Sequence, residues 1–284
     1  MRKTTYFLLF IAFPVVCVWL ASAVYGEEAP DRSAASNTHM LVVGGVHKDS
    51  EEMSAQDELL AQLLDTLAVT SMRSFHLLAP PDSSLPNVSN QSTRENIKTT
   101  IDALTSSVRP SDSFVFYYLG QANIVDEQLR FNLRGPDITH GELASWIGGI
   151  HSATTVVILD CPGAGRAIER LAGPGRIIIC SARSDQPYTT HFSEFFITAL
   201  ANVESDANRD GRISLLEAFQ SASQKVDQLY RDEELLRSEN SLLEDDGDGV
   251  PSQQPWRYRE DAVDGKVAAH CFLWQAEVEL HGRP

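Results

Sequence analysis

Two short stretches of this 284-residue chain bring together side chains that can do chemistry. The first is Asp206-Ala-Asn208-Arg-Asp210-Gly211-Arg212-Ile-Ser214-Leu-Leu-Glu217. Oxygens at positions 1, 3 and 5 of a twelve-residue loop, a glycine at 6 and a glutamate at 12 are what a calcium loop of the EF-hand kind requires. Asp206, Asn208 and Asp210 supply side-chain oxygens, and Gly211 permits the sharp turn. Arg212 offers its carbonyl, Ser214 acts directly or through water, and Glu217 closes the shell with both oxygens. Helical patterns on both sides suit a helix–loop–helix unit. The competing reading of the same residues is a capped helix start with surface acids, Asp210 or Ser214 being the N-cap. Calcium is therefore the cofactor the sequence points to.

The second stretch is Asp160-Cys161-Pro162-Gly163-Ala164-Gly165, which follows the apolar run Thr155–Leu159. A cysteine on a small-residue turn at a strand end can present a thiol beside backbone N–H donors. Phe114–Leu119 runs in the same way into Gly120-Gln121-Ala122-Asn123. In an open α/β sheet, ligands bind in the crevice beyond such strand ends, and a peptide or protein ligand would enter there. The bland reading of Cys161 and Cys180 is two small buried residues at strand ends, with a disulfide between them open if the strands are neighbours.

These positions are held by alternating strand and helix patterns. Met40–Val46, Ser74–Leu78, Phe114–Leu119, Thr155–Leu159 and Arg176–Cys180 are short apolar runs suited to strands buried on both faces. Ser54–Val69 carries leucines at helical spacing, and Leu215–Leu236 and Ser193–Leu200 are also helical. Ser92 with Glu95 and Thr139 with Glu142 have the spacing of capping boxes, the second opening a helix to about Ile147. Ala79–Ser92 is a loop by composition. The expected fold is α/β, a three-layer α/β/α sandwich with a mostly parallel sheet.

The order of these segments resembles the caspase and legumain-type cysteine peptidases, and most of all an exported bacterial branch with an acidic loop near its C-terminus. The resemblance runs through Leu41–Gly45, Phe114–Gly120, Phe131–Thr139, Val156–Gly165, Arg176–Arg183 and His191–Gly249. It implies a histidine after the third strand as general base and a cysteine after the fourth as nucleophile. Here Gln121 stands at the histidine's place and Pro162 at the cysteine's, with Cys161 one position early. Glutamine exchanges no proton near neutral pH and proline has no nucleophile. A one-residue slip along a strand also turns a side chain to the opposite face. His140, a helix-start residue, and His151, a loop residue, are the nearest other histidines, and His270 beside Cys271 points away from it. The catalytic dyad therefore reads as degenerate.

Arg2 and Lys3, an apolar run over Tyr6–Leu20 and Ala21-Ser22-Ala23 describe a secretory signal peptide over residues 1–26, an uncleaved anchor being the alternative. Residues 27–37 read as a flexible lead-in, 38–250 as the caspase-like domain including the loop 206–217, and 251–284 as a C-terminal extension packed on it. No second run would span a membrane, so the chain is expected to be secreted or periplasmic. Three cysteines would remain after cleavage, an odd number. Asn87-Val-Ser89 and Asn90-Gln-Ser92 are sequons, meaningful only in a eukaryotic secretory pathway. The net charge of −16 argues against nucleic acid and anionic lipid as partners. That charge is concentrated: Glu204–Asp264 holds 16 acids against 7 bases. Within it, Glu244-Asp245-Asp246-Gly247-Asp248-Gly249 reads as a solvated loop, because no closing glutamate follows at the right distance. Three functional classes stand open: a binding or scaffolding protein without peptidase activity, a cysteine endopeptidase using Cys161, and a structural envelope component.

Overall fold

The computed structural model describes residues 37–68, 72–257 and 264–273. The signal peptide, nearly all of the lead-in and the last part of the C-terminal extension lie outside the described residues. The chain begins with β1 (Thr38–Gly44), α1 (Ser50–Ala68), β2 (Ser74–Ala79), β3 (Asn90–Gln91) and α2 (Arg94–Ser107). It continues with β4 (Ser113–Leu119), β5 (Ala122–Val125), β6 (Gln128–Phe131), β7 (Ile138–Thr139) and α3 (His140–Ile147). Then come β8 (Thr154–Asp160), α4 (Ile168–Leu171), β9 (Arg176–Cys180), α5 (Phe192–Ala201), α6 (Leu215–Asp232) and β10 (Leu242–Glu244).

Seven strands form one sheet in the order β10-β9-β8-β4-β1-β2-β3, parallel except for β10. The apolar runs are strands because both of their faces are covered. On one face Leu41, Phe116, Val157 and Ile178 pack with Ile97 and Ile101 of α2, Leu143 and Ile147 of α3 and Leu171 of α4. On the other Val42, Val115, Ile158 and Ile179 pack with Leu60 and Leu63 of α1, Phe192 and Phe196 of α5 and Phe219 of α6. The expected three-layer α/β/α architecture with a mostly parallel sheet is the one observed.

Several details differ from the expectation. The cap of α2 is Thr93, whose hydroxyl accepts from the Asn96 N–H at 3.3 Å. Ser92 cannot serve, because its N–H is bound to the Ala79 carbonyl at 2.8 Å and its side chain is fully buried. The loop before it contains β3, paired to the end of β2. Residues 122–139 form a separate antiparallel sheet, β5-β6-β7, which period-two patterning did not reveal because the strands are two to four residues long. Helix α6 stops at Asp232, where Glu234 turns to φ +55° and leaves Leu235 and Leu236 exposed. The segment beginning at Glu244 is not a solvated loop throughout: Glu244 closes β10 fully buried, and Asp245 is buried beside it. The capping box of Thr139 and Glu142 has both of its hydrogen bonds. Among the described residues no helix is long and apolar enough to cross a membrane.

The amino ends of β1 and β4 are tied together by Asp112, which is buried just before β4. Its carboxylate accepts the Asn37 N–H at 3.1 Å, the Arg109 N–H at 3.0 Å and the Arg109 side chain at 3.0 and 3.1 Å, and it meets His39 Nε2 at 3.3 Å. Burial alone would raise this carboxyl, but the hydrogen bonds from Arg109, Asn37 and His39 hold it well below the usual carboxylate range. Asp112→Ala should therefore cost about 1–3 kcal/mol in denaturant unfolding, since it removes a buried carboxylate that holds the part-buried N–H groups of Asn37 and Arg109. A depressed carboxyl stabilises above its unfolded pKa, so the wild-type advantage over the variant should shrink as pH falls through about 4.

Candidate functional site

The strand order reverses between β1 and β4, since the chain leaves β1 toward β2 and leaves β4 toward β8. The carboxyl ends of these strands are therefore the place for a ligand crevice. In this chain the crevice floor is closed by backbone. A Cβ on Gly45 would lie 2.2 Å from the Tyr118 hydroxyl, and one on Gly120 would lie 2.7 Å from Gly45 Cα. Gln121 is buried, and its carbonyl accepts the Tyr118 hydroxyl at 2.7 Å and the Asn132 N–H at 3.0 Å. Its role in the structure is to seat the β5–β6 hairpin against β4.

Asp160 and Cys161, adjacent at the end of β8, diverge as successive strand residues do. Asp160 turns toward α5: Oδ2 accepts the Ser193 N–H at 2.8 Å, and Oδ1 accepts the Thr190 hydroxyl. Cys161 turns into the opposite core with Tyr118, Leu129, Ala164 and Cys180 and is fully buried. Its N–H donates to Ser181 Oγ at 3.1 Å, and that hydroxyl donates to the Cys161 carbonyl at 3.3 Å. Burial, with Cys180 and Asp160 nearby, pushes the Cys161 thiol well above its ordinary value, so it is not a thiolate near neutral pH. Among the described residues no histidine hydrogen-bonds it. His140 instead contacts the Leu129 N–H at 3.2 Å with Nδ1, and His151 is exposed. Cys161, Cys180 and Cys271 are all free thiols, so the disulfide left open by the sequence is not formed.

The turn after Cys161 offers no anion cradle either. The Gly163 N–H donates to the Gln186 carbonyl at 2.9 Å, Ala164 to Cys161 at 3.3 Å and Gly165 to Ala182 at 2.8 Å. Pro162, buried, has no N–H to give. Gly163 sits at φ +68°, where a Cβ would lie 2.9 Å from Ile124 Cδ1, so the hairpin tip closes over the turn. At this turn the thiol is buried, no histidine among the described residues bonds it, and the N–H groups of Gly163, Ala164 and Gly165 are all engaged.

Around Asp160 the fold gathers residues that sequence reasoning missed: Thr190, His191, Ser193, Tyr230 and Glu239. Glu239 is fully buried, and both of its oxygens accept the His191 N–H, at 2.9 and 3.0 Å. His191 Nδ1 meets Glu194 at 2.8 Å, which raises its pKa. Burial, and then the Asp160 charge, push Glu239 up to about 7. No spacing marks such a set, because its members come from a strand end, a helix start and a loop far apart in the chain. Elsewhere, a cavity of about 620 Å³ beside α3 is lined by Glu127, His140, Arg166 and Arg170. Arg166 is paired with Glu127 there.

The loop 206–217 has the turns its sequence demands. Arg209 lies at φ +61° and Gly211 at φ +83°. Asp206 accepts the Asp210 N–H at 3.1 Å and the Gly211 N–H at 2.9 Å, and Asn208 Oδ1 accepts the Asp210 N–H at 2.8 Å. Asp210 Oδ1 accepts the Arg212 N–H at 2.9 Å. Glu217 reaches back across the loop, with Oε1 accepting the Asn208 N–H at 3.1 Å. Its Oε2 completes a capping box with Ser214. The geometry present is the capped helix start, with Ser214 as N-cap and both Glu217 oxygens taken by N–H and hydroxyl donors. The incoming helix α5 ends at Ala201 and is followed by one 3-10 turn, Val203–Ser205, and not by a continuous helix. The potential donors are all oxygen, and no Lys, Arg or His is paired with Asp206, Asp210 or Glu217 among the described residues, but their carboxylates do not converge as those of Glu244, Asp246 and Asp264 do.

The raised Glu239 carboxyl has a measurable consequence. A carboxyl that binds its proton more tightly when folded makes stability fall as pH rises from its unfolded pKa to its folded one. Unfolding free energy should decline between pH 5 and 7.5, and Glu239→Gln should remove roughly 1–3 kcal/mol of that decline. Parallel pH profiles of the two proteins would refute the assignment.

No family model matches the chain, and no curated protein sequence matches it. Among solved structures, the fold is similar to that of the Drosophila initiator caspase Dronc, with a TM-score of 0.43 and 11% sequence identity over 74% of this chain and 79% of that one.

Proposed function

We propose that this is an exported binding or scaffolding protein on a caspase-like fold, without peptidase activity and with a calcium-stabilised C-terminal half. The observation that carries the first part is the sealed cysteine. Cys161 lies in the core, its turn's N–H groups are all engaged, and Gln121 and Pro162 hold the places where the resembled family would have base and nucleophile. Neither the attack nor the stabilisation of an oxyanion has a residue to perform it.

A binding role for the same end of the sheet is supported by what surrounds it. Ile124 and Val125 at the hairpin tip are 43% and 44% exposed, and Tyr188, in the loop that covers the turn, is 62% exposed. Strand β5 is also an edge of its small sheet, so its outer backbone is available to an extended peptide. Peptide or protein is the ligand class that such apolar rims and open strand edges take.

Asp206, Asn208, Asp210, Ser214 and Glu217 would hold the calcium ion, with the Arg212 carbonyl completing the shell. The bound ion supplies charge neutralisation and fixes the turn that starts α6. An extracellular or periplasmic location keeps such a site filled even at weak affinity.

Three measurements test this reading. The protein should leave reporter peptides ending in Asn, Asp, Arg or Lys uncut, and Cys161 should resist iodoacetamide at pH 7.5 in the folded state. Turnover abolished by Cys161→Ala would overturn the inactive reading. Calorimetric titration should show calcium uptake that Glu217→Gln weakens at least tenfold, and no uptake by loop 206–217 at millimolar calcium would overturn the calcium assignment.

A further inference from the structure

The strand β10 ends in a second oxygen-rich place, unlike the EF-hand loop in construction. From Glu244 the chain makes a tight excursion and returns to pair Ser252 with Leu243, through N–H···O bonds of 2.9 and 2.8 Å. The Glu244 side chain turns into the centre of this excursion. Its Oε1 accepts the Gly247 N–H at 2.6 Å and the Gly249 N–H at 3.2 Å. Both glycines need positive φ, +86° and +80°. The other oxygen, Oε2, is sealed from solvent and has no hydrogen-bond partner, on a residue that is 0% exposed.

Asp246 and Asp264 bring carboxylate oxygens to the same place. One carboxylate oxygen from each of Glu244, Asp246 and Asp264 lies within 4.8 Å of the others. Asp264 is buried and comes from the C-terminal segment. It is held in place because its Oδ1 accepts the Asp245 N–H at 3.1 Å. Asp245 in turn anchors the same segment, accepting the Gly265 N–H at 2.8 Å and the Ala268 N–H at 2.7 Å. No cationic side chain pairs with any of these acids among the described residues, and Lys266, two residues from Asp264, is exposed.

Buried carboxylates without a counter-charge are costly, and two species can relieve them: a shared proton or a cation. A proton shared between carboxyls needs oxygens at hydrogen-bond distance, about 2.5–3.0 Å. Glu244 Oε2 makes no hydrogen bond to either carboxyl. Carboxylate oxygens from three residues, all within 4.8 Å of one another, can share one calcium ion, whose oxygens lie up to about 4.6–5.2 Å apart across the ion. We infer that Glu244, Asp246 and Asp264 bind a hard divalent cation of the calcium class, independent of the loop 206–217, which clamps the segment Asp264–Leu273 to the edge of the main sheet. Three carboxylates and no nitrogen or sulfur ligand argue for calcium over zinc.

The clamp has a structural reason to matter. The segment it fixes donates no hydrogen bond to the sheet but accepts one from α6: the Leu215 N–H bonds to the Cys271 carbonyl at 2.8 Å. The Arg212 guanidinium lies 3.5 Å above the Phe272 ring. The C-terminal segment therefore spans from the acidic trio to the start of α6.

The test uses the full protein, stripped with chelator and titrated with calcium alone. In the Glu217→Gln background, which disables the other loop, one ion per chain should still bind and raise the melting temperature. Adding Glu244→Gln or Asp264→Asn should weaken that uptake at least tenfold and abolish the rise. Asp246→Asn, at an exposed position, should do the same without disturbing the core if either buried change prevents folding. The inference is overturned if the Glu217→Gln protein takes up no calcium at several millimolar, or if all three substitutions leave its affinity unchanged. In the otherwise wild-type protein, an ion lost on Glu244→Gln and kept on Glu217→Gln marks failure of the EF-hand reading alone; the reverse marks failure of this inference alone.

Discussion

The structure turns on a buried aspartate at the end of β8, beside the central strand β4. Asp160 has to satisfy a carboxylate away from water, and it does so by gathering the amino terminus of α5 and the preceding loop, through the Ser193 N–H and the Thr190 hydroxyl. A helix start is a favourable place for a negative charge, because its free N–H groups and dipole both point at it. The same residue's carbonyl accepts the Gly120 N–H at 3.1 Å and so joins the end of β8 to the end of β4. With Asp160 held on the α5 side, strand alternation obliges Cys161 to face the other way. The thiol's burial is thus a consequence of how its neighbour is satisfied.

Glu239 shows what that arrangement costs. A second carboxyl placed near a fixed negative charge, in a site closed to water, keeps its proton to unusually high pH. In an enzyme such a group, beside a histidine, would suggest acid–base work. Here both Glu239 oxygens are committed to the His191 N–H, the His191 ring is committed to Glu194, and the aromatic ring of Tyr230 lies 6.4 Å from that of His191. The perturbed group sits in a network that positions a loop and a helix.

Much of this was legible in the order of residues. Runs such as Phe114–Leu119 and Val156–Leu159 are apolar at every position, which suits a strand covered on both faces, and Thr139 with Glu142 marks a helix start to the residue. That Cys161 faces away from Asp160 could be read from strand parity alone. What escaped notice depends on contacts between distant segments. The strands β5–β7 are too short to show alternation, and β10 is three residues followed by a run of acids. The burial of Glu244 and Asp245 runs against their residue types; it follows from the return of the chain at Ser252 and the arrival of Asp264, which no local pattern encodes. The helix start at Ser214 was legible because its capping pair, Ser214 and Glu217, lies three residues apart.

The bridge between Leu243 and Ser252 also decides how the molecule can meet its own copies. A large, mostly parallel sheet with open sides is a template for lateral growth, since each unpaired backbone edge can recruit another strand. At one side of this sheet the last strand runs antiparallel, is three residues long and has its outer backbone already occupied by the returning chain. At the other side the outermost strand is only two residues. Neither side offers the five or six consecutive free amides on which a stable intermolecular ladder is built, so the fold guards its largest hydrophobic layer against runaway stacking by architecture alone.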